Sequence, residues 1–137
     1  MTATTPLDPL HRAVYARLTG DAELMAVVTG VWDHIPEDAE CPFIQLGEVV
    51  ETPDNRHGGF GRQSVLTLHT WSKYRGYGEA RAIVAHQVRL LDHQPLTIAG
   101  HHHIATRYEF AQLLTDPEPP GDLRHGITRF RIVTEQP

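Results

Sequence analysis

Cysteine is nearly absent from this sequence, which has one such residue, Cys41, among 137. A single thiol cannot build an internal disulfide framework or a zinc site that needs several cysteines. Long apolar runs are missing too: stretches such as Met25–Val28 and Ile83–Ala85 are far shorter than the ~20 residues of a membrane-spanning helix. The first residues lack the basic region and apolar core of a secretory signal. We therefore expect a soluble cytoplasmic protein with no membrane partner.

Basic residues are in the minority. Lysine and arginine total 12 against 17 aspartates and glutamates, so the formal net charge is -5 and the pI is near 6.0. A dedicated nucleic-acid-binding protein usually has the opposite balance. An apolar fraction of 40% with only 21% charged residues is too apolar for a mostly disordered chain. The length fits a single domain over residues 1–137, with Met1–Leu7 predicted as a short disordered tail.

Motifs for catalysis and for phosphate binding are missing as well. No serine lies in a G-x-S-x-G elbow, and Gly58, Gly59 and Gly61 do not follow a nucleotide-binding pattern. The 10 histidines are the most conspicuous candidates, but they are dispersed. In the run His101–His103, at most two side chains can share one face of a strand. We therefore predict no catalytic, cofactor-binding or metal-binding residue, and no cofactor.

Three helices are predicted from apolar periodicity and end signals. The first begins with Asp8 as its N-cap and ends at Gly20 as a left-handed cap. Asp21 is predicted to cap a short second helix over Ala22–Val28. The third and strongest helix spans Glu79–Leu91, and its predicted buried stripe consists of Ala80, Ile83, Val84, Val88, Leu90 and Leu91.

The strands cluster in two groups around the third helix. They are predicted at Val31–Ile35, Phe43–Val50, Ser64–Trp71, Leu96–Ile98, His102–Leu114 and Leu123–Thr134. Because strands do not alternate regularly with helices, the pattern favours an α+β fold with a mostly antiparallel sheet over a doubly wound parallel one. Loops are predicted at Pro53–Arg62 and at the proline-rich Asp116–Asp122. Trp32 and Trp71 are expected in the core, with Trp71 against the third helix.

Three sequence blocks carry a family resemblance. They comprise Gly30–Pro36 with Ala39 and Cys41–Gly47, then Leu66–Ser72 with Gly78–Ala80, and finally Leu114–Pro117 with His125–Arg131. In this order and spacing they resemble the DUF3168 family of tailed-phage and gene-transfer-agent proteins. Two departures are modest: Phe43 replaces a common tyrosine, and the Asp116–Asp122 segment is longer than usual.

The resemblance implies a non-enzymatic tail terminator of the lambda type, also called a tail-completion or tail-to-head joining protein. Such proteins have a sheet flanked by helices and form a ring, usually a hexamer, on the end of the tail tube. The ring stops tube polymerisation and offers a surface for head joining. The implied partners are further copies of the chain, the major tail tube protein and a head-completion or stopper protein, with DNA only as cargo in the lumen.

The implied location is the virion of a siphovirus, prophage or gene transfer agent, at the head–tail junction, after synthesis in the host bacterial cytoplasm. Two other interpretations stay open. One is a head–tail connector adaptor or stopper with a similar α+β domain. The other is a small metalloenzyme that uses the histidine-rich strand.

Two candidate surfaces follow from composition, not from the family motif. The glycine-rich loop Glu51–Arg62 is expected to dock on the tail tube, through Arg56, His57, Phe60 and Arg62, and its part Arg56–Gly61 is expected to be poorly ordered in the isolated protein. Its charges nearly cancel, which favours a protein partner over DNA phosphates. The predicted ring-interface residues are Tyr74 and Tyr77, in a connection, and Arg129 and Arg131, whose shared strand face suits an acidic partner or plain solvation.

Overall fold

Three helices and five strands make up the fold in a computed structural model of the chain, which describes residues 2–117 and 121–137. The helices are α1 (Leu7–Thr19), α2 (Ala22–Met25) and α3 (Gly78–Leu91). The strands are β1 (Val31–Trp32), β2 (Phe43–Pro53), β3 (Gly61–Ser72), β4 (His102–Thr115) and β5 (Arg124–Glu135). They form a single sheet in the order β1-β2-β3-β5-β4. Only β1 and β2 run parallel, so the predicted α+β fold with a mostly antiparallel sheet is confirmed.

All the helices pack on the same side of this sheet, here called the inner face. Leu66, Leu68, Phe130 and Ile132 point to that side and are at most 1% exposed. They belong to one core cluster that also holds the apolar side chains of the three helices. Since side chains alternate along a strand, the intervening residues of β3 and β5 lie on the opposite, outer face. No helix of the described chain covers the outer face.

The third helix is buried along a slightly different stripe from the predicted one. Ala80, Ile83, Leu90 and Leu91 are buried as expected, but Val84 and Val88 are only half-buried. The centre of the stripe is Gln87, which is fully buried. A polar residue at that position hides the true centre from a count of apolar side chains.

Both tryptophans lie outside the core cluster, contrary to prediction. Trp71 follows Thr70, which is bonded to Gln87 of α3, so alternation turns Trp71 to the outer face, away from the helix. There its ring stacks on His125 at 3.9 Å. Trp32, on the edge strand β1, lies opposite Gln45 of β2 and is half-buried.

The helix ends differ in detail from the predicted ones. α1 begins at Leu7, before Asp8, whose carboxylate instead pairs with Arg12 one turn later at 3.1 Å. Gly20 has φ -80 and is not left-handed, because the chain continues directly into the extended Asp21. The Asp21 cap is confirmed, since its side chain accepts a hydrogen bond from the Leu24 amide at 2.9 Å. α2 stops at Met25, short of the predicted Val28.

One predicted strand is absent. Leu96 and Ile98 are buried in the core, but the segment Leu96–Ile98 has no strand partner in the described chain. The apolar residues at alternate positions, which predicted a strand, belong instead to an irregular segment that packs on the core. The strand predicted at Val31–Ile35 is also reduced to two residues.

The chain is ordered closer to its start than the predicted tail Met1–Leu7 suggests. Pro6 is buried, and Thr5 donates a hydrogen bond to Glu51 of β2 at 2.8 Å. The Thr4 amide donates to the Gln136 side chain at 3.0 Å. In the predicted loop Asp116–Asp122, Glu118, Pro119 and Pro120 lie outside the described residues. None of the described helices is long and apolar enough to cross a membrane.

Candidate interaction surfaces

The outer face of β5 presents the two arginines that alternation predicts there. Thr128, Phe130 and Ile132 are buried on the inner face, whereas Arg129 is exposed and Arg131 half-buried on the outer face. The register with β4 places Arg129 opposite Phe110 and Arg131 opposite Arg107. Three arginines from two strands therefore meet on the outer face, together with an aromatic ring.

A bulge in β4 creates this arrangement. The pairing of β4 with β5 shifts between Tyr108 and Phe110, so Glu109 is an extra residue without a partner in the register. Without the bulge, strict alternation from Arg107 would send Phe110 to the inner face. The bulge therefore puts Phe110 beside the arginines.

We call Arg107, Arg129 and Arg131 the arginine surface. The guanidinium of Arg129 lies 4.7 Å from the centre of the Phe110 ring, a cation–π contact. Arg131 Nη1 is 3.8 Å from Glu109 Oε2, and Arg107 donates to its neighbouring Thr106 carbonyl at 3.0 Å. Like charges directly opposite on a sheet are destabilising, so the Arg107–Arg131 pair costs the fold free energy.

Two imidazoles on the outer face form a hydrogen-bonded chain beside Trp71. His69 Nδ1 and His125 Nε2 are 2.7 Å apart, and His69 Nε2 is 3.1 Å from Glu48 Oε1. Burial, followed by the neighbouring His69, lowers the pKa of His125 below its ordinary value. The pair therefore favours a neutral His125, which suits a stacked ring more than an exposed proton donor.

The loop predicted as a docking element is shorter and better defined than expected. β2 continues to Pro53 and β3 starts at Gly61, so only residues 54–60 form the hairpin tip. Arg56 and Gly59 exchange backbone hydrogen bonds of 3.1 and 3.0 Å, and Gly58 between them has φ 84. These two bonds close the hairpin tip between Arg56 and Gly59.

The four predicted docking residues do not form one group. Arg56 is paired with Glu135 at the end of β5, and His57 is exposed at the tip. Phe60 is half-buried under the Arg62 guanidinium, which lies 5.9 Å from the ring centre. Arg62 also lies 3.9 Å from Glu51 and is only 14% exposed. His57 and the half-exposed Arg56 are thus the most available to a partner.

The two tyrosines of the β3–α3 connection differ in the same way. Tyr74 is 51% exposed. The Tyr77 hydroxyl is 2.7 Å from Thr115 Oγ1, and its ring lies under Arg124 at 5.7 Å. Tyr77 therefore helps to fix the end of β4, while Tyr74 is free to contact another molecule.

Carboxylates are concentrated at the far edge of the sheet, in the connection between β1 and β2. Residues 33–40, here called the acidic segment, contain four of them and neither lysine nor arginine. Asp33 Oδ1 is 3.6 Å from His11 Nε2. Glu37, Asp38 and Glu40 are exposed and have no ion-pair partner in the described chain.

Two histidines of the run, His101 and His103, form hydrogen bonds with neighbouring parts of the fold. His103 accepts the Leu96 amide at 3.3 Å and is 2.7 Å from Thr106 Oγ1, and burial lowers its pKa. His101 is 3.1 Å from Thr4 Oγ1. Burial raises the pKa of the Cys41 thiol, which disfavours the reactive thiolate. Within residues 2–117 and 121–137, no three His, Cys, Asp or Glu side chains are placed to hold a metal ion.

Sequence reasoning found Arg129 and Arg131 but missed Arg107, Phe110 and the His69–His125 pair. Alternation in β5 is regular, so its outer residues could be predicted. A bulge has no reliable sequence signal, and the register between two strands far apart in the chain is set by packing. The acidic segment was missed as well, because its place at the opposite edge of the sheet follows only from the fold.

Comparison with known proteins points in one direction. A family model described as "Tail completion protein gp17" matches residues 12–135. The tail completion protein gp17 of Bacillus phage SPP1 is 27% identical over 123 residues, 90% of each chain. A chain from the virion of a native gene transfer agent particle has the same fold, with a TM-score of 0.88 at 22% identity, covering 97% of this chain and 99% of that one. The bacteriophage SPP1 gp17 structure gives a TM-score of 0.62 at 24% identity, over 90% of this chain and 86% of that one.

Proposed function

This chain belongs to the family of tail completion protein gp17, and we propose on that premise that it closes the end of a phage tail tube as a ring of identical copies. As a member of the family it is a structural protein of phage tail and virion assembly, not an enzyme. In our proposal six copies sit on the last ring of the tube, stop its polymerisation and offer a surface for joining the head.

The observation that carries the proposal is the family match over residues 12–135. It includes every strand and α3, and all of α1 beyond its first turn, so it covers the whole scaffold and not one local motif. The gene-transfer-agent chain with the same fold belongs to a virion, which supports placing this chain in the finished particle.

The distribution of exposed groups supports a ring. Each copy in a closed ring joins its two neighbours through two different patches. The chain offers such patches on separate elements: Tyr74 in the β3–α3 connection, and Arg129 and Arg131 on the outer face. Val50 and Phe110, on the outer face, are 61% and 36% exposed. Apolar exposure on a sheet without a covering layer is typical of a surface that another molecule buries.

The hairpin tip is the proposed contact with the tail tube, through the exposed Arg56 and His57, with Phe60 and Arg62 packed on each other at its base. It projects beyond the paired parts of β2 and β3, where a partner can reach it without disturbing the core. Its Arg56–Glu135 ion pair and the ring of Phe60 give the partner a mixed polar and apolar surface. Head-completion or stopper proteins would then meet another side of the ring.

The proposal is tested by deleting the gene in the phage, prophage or gene transfer agent that carries it and measuring tails by negative-stain electron microscopy. We expect overlong tails without heads, and tails of normal length when the wild-type gene is supplied from a plasmid. Tails of normal length that lack heads would instead indicate a connector adaptor or stopper. Normal tails with heads attached would overturn both.

A further inference from the structure

We propose that the arginine surface of one copy receives the acidic segment of the next copy. The inference rests on the proposed ring and specifies which two surfaces meet in it. Its occupant is a second copy of this chain, recognised by carboxylates that bind guanidinium groups.

The positions of the two surfaces fit a head-to-tail contact. The acidic segment joins β1 to β2, and β1 is the first strand of the order β1-β2-β3-β5-β4. The arginine surface lies on β5 and β4, at the other side of the sheet. Neighbouring strands are about 4.8 Å apart, so the width of the sheet keeps the two surfaces from pairing within one copy. Two different patches on opposite sides are what a closed ring requires.

The charges of the two surfaces are complementary, and most of them have no ion-pair partner within the described residues. Glu37, Asp38 and Glu40 have no ion-pair partner in the described chain, and Lys73, whose charge acts on the adjacent Cys41, forms no ion pair with them. On the other side, the exposed Arg129 has only the ring of Phe110 as a partner among residues 2–117 and 121–137.

The geometry of the arginine surface suits carboxylates. A guanidinium stacked on an aromatic ring keeps its N–H groups free at the edge, and these can bind a carboxylate through two parallel hydrogen bonds. Arg107 and Arg131 face each other across the ladder, with the Glu109 carboxylate 3.8 Å from Arg131 alone. A carboxylate from another molecule would offset the repulsion between Arg107 and Arg131. Binding would thus recover free energy that this pair costs the isolated fold.

The contact can be observed directly by paramagnetic relaxation in mixed samples. A spin label is attached at Asp38→Cys in a Cys41→Ser background, and this copy is mixed at millimolar concentration with a ¹⁵N-labelled wild-type copy. We expect amide signals of Arg129 and Arg131 to lose intensity, and those near Arg81 on α3 to keep it. No loss at the arginine surface, or equal loss everywhere, would overturn the proposal.

Charge reversal then separates pairing from net charge. Arg129→Glu with Arg131→Glu in the observed copy should weaken the contact at least about tenfold, because like charges at an interface repel. The matched control, Arg12→Glu with Arg81→Glu on exposed helix positions, should leave it unchanged. Adding Glu37→Lys and Glu40→Lys to the spin-labelled copy should restore the contact with the reversed surface. An equal loss in the control, or no restoration, would overturn the pairing.

The same variants in the particle distinguish this inference from the proposed function. We expect Arg129→Glu with Arg131→Glu to give overlong tails, and co-expression with the Glu37→Lys, Glu40→Lys chain to shorten them again, since the two chains can alternate in a ring of six. If the reversed chain ends tails normally while gene deletion does not, the docking is wrong and tail termination stands. If deletion itself leaves tails normal, the proposed function fails whatever the docking measurement shows.

Discussion

Gln87 joins α3 to the sheet from the middle of the apolar core. Its side-chain nitrogen donates to Thr70 Oγ1 on β3, and its oxygen accepts from Thr128 Oγ1 on β5, both at 2.7 Å. All three residues are fully buried. Each of the three side chains in this network has a hydrogen-bond partner. The network therefore fixes the position of α3 over two strands without the free-energy penalty of an unpaired buried polar group.

We predict that Gln87→Leu lowers the free energy of unfolding by about 2–4 kcal/mol, since two buried hydroxyls lose a partner. Urea unfolding of the variant measures this directly. The triple variant Gln87→Leu, Thr70→Val, Thr128→Val removes the polar groups together and should be less destabilised than the single one. A triple variant weaker than Gln87→Leu would show that packing, not hydrogen bonding, decides the cost.

Trp71 should matter less for stability than a core tryptophan and more for its neighbour His125. Its ring is only half-buried and stacks on the imidazole, so we expect Trp71→Ala to cost about 1–3 kcal/mol, near the value of an aromatic pair plus part of its burial. Exposing the imidazole should also raise the pKa of His125. An NMR titration of the histidines checks this, and an unchanged His125 pKa would mean that the stack does not cause its burial.

Among the elements, the β2–β3 hairpin is where a variant best tests the proposed tube contact without disturbing the fold. We predict that replacing residues 55–60 by Asn-Gly leaves the free energy of unfolding within about 1 kcal/mol, since the chief loss is the surface ion pair between Arg56 and Glu135. The same variant should fail to restore tail length in the deletion strain. Full restoration by a folded variant would remove the hairpin tip from the tube contact.

The predictability of the elements follows from their regularity. β3, β5 and α3 were found within a few residues because each carries a long periodic pattern of apolar residues, even though buried polar residues such as Gln87 and Thr128 interrupt it. The strand predicted at Leu96–Ile98 was wrong, because a pattern of three residues does not distinguish a strand from an irregular segment that packs on the core. Trp71 was predicted on the inner face of the sheet but lies on the outer face. The sequence did not show this, because β3 has buried residues on both faces: Thr67, also on the outer face, is 3% exposed.

For the whole molecule, two half-buried imidazoles make stability depend on pH. Burial lowers the pKa values of His103 and His125 in the folded chain, below the ordinary 6.5. The unfolded chain therefore binds protons more readily, so stability is fully present above pH 6.5 and declines as the pH falls through the lowered values.

We expect the free energy of unfolding in urea to be smaller at pH 5.5 than at pH 7.5. His103→Gln with His125→Gln should flatten this pH dependence, whatever the change does to stability at neutral pH. The His57→Gln variant, altered at the exposed hairpin tip, is the control and should keep the wild-type slope. A slope unaffected by the double variant would assign the pH dependence to other groups.

The bulges of β4 also affect how separate copies of the chain can meet. β4 is the last strand of the sheet, and an unprotected edge of that length invites unlimited stacking of molecules into fibrils. Its regular pairing is broken twice, between His103 and Ala105 and between Tyr108 and Phe110. A straight strand from another molecule can match only short stretches of such an edge. The bulge that turns Phe110 outward thus also hinders edge-to-edge stacking, so separate copies of the chain are less prone to form fibrils.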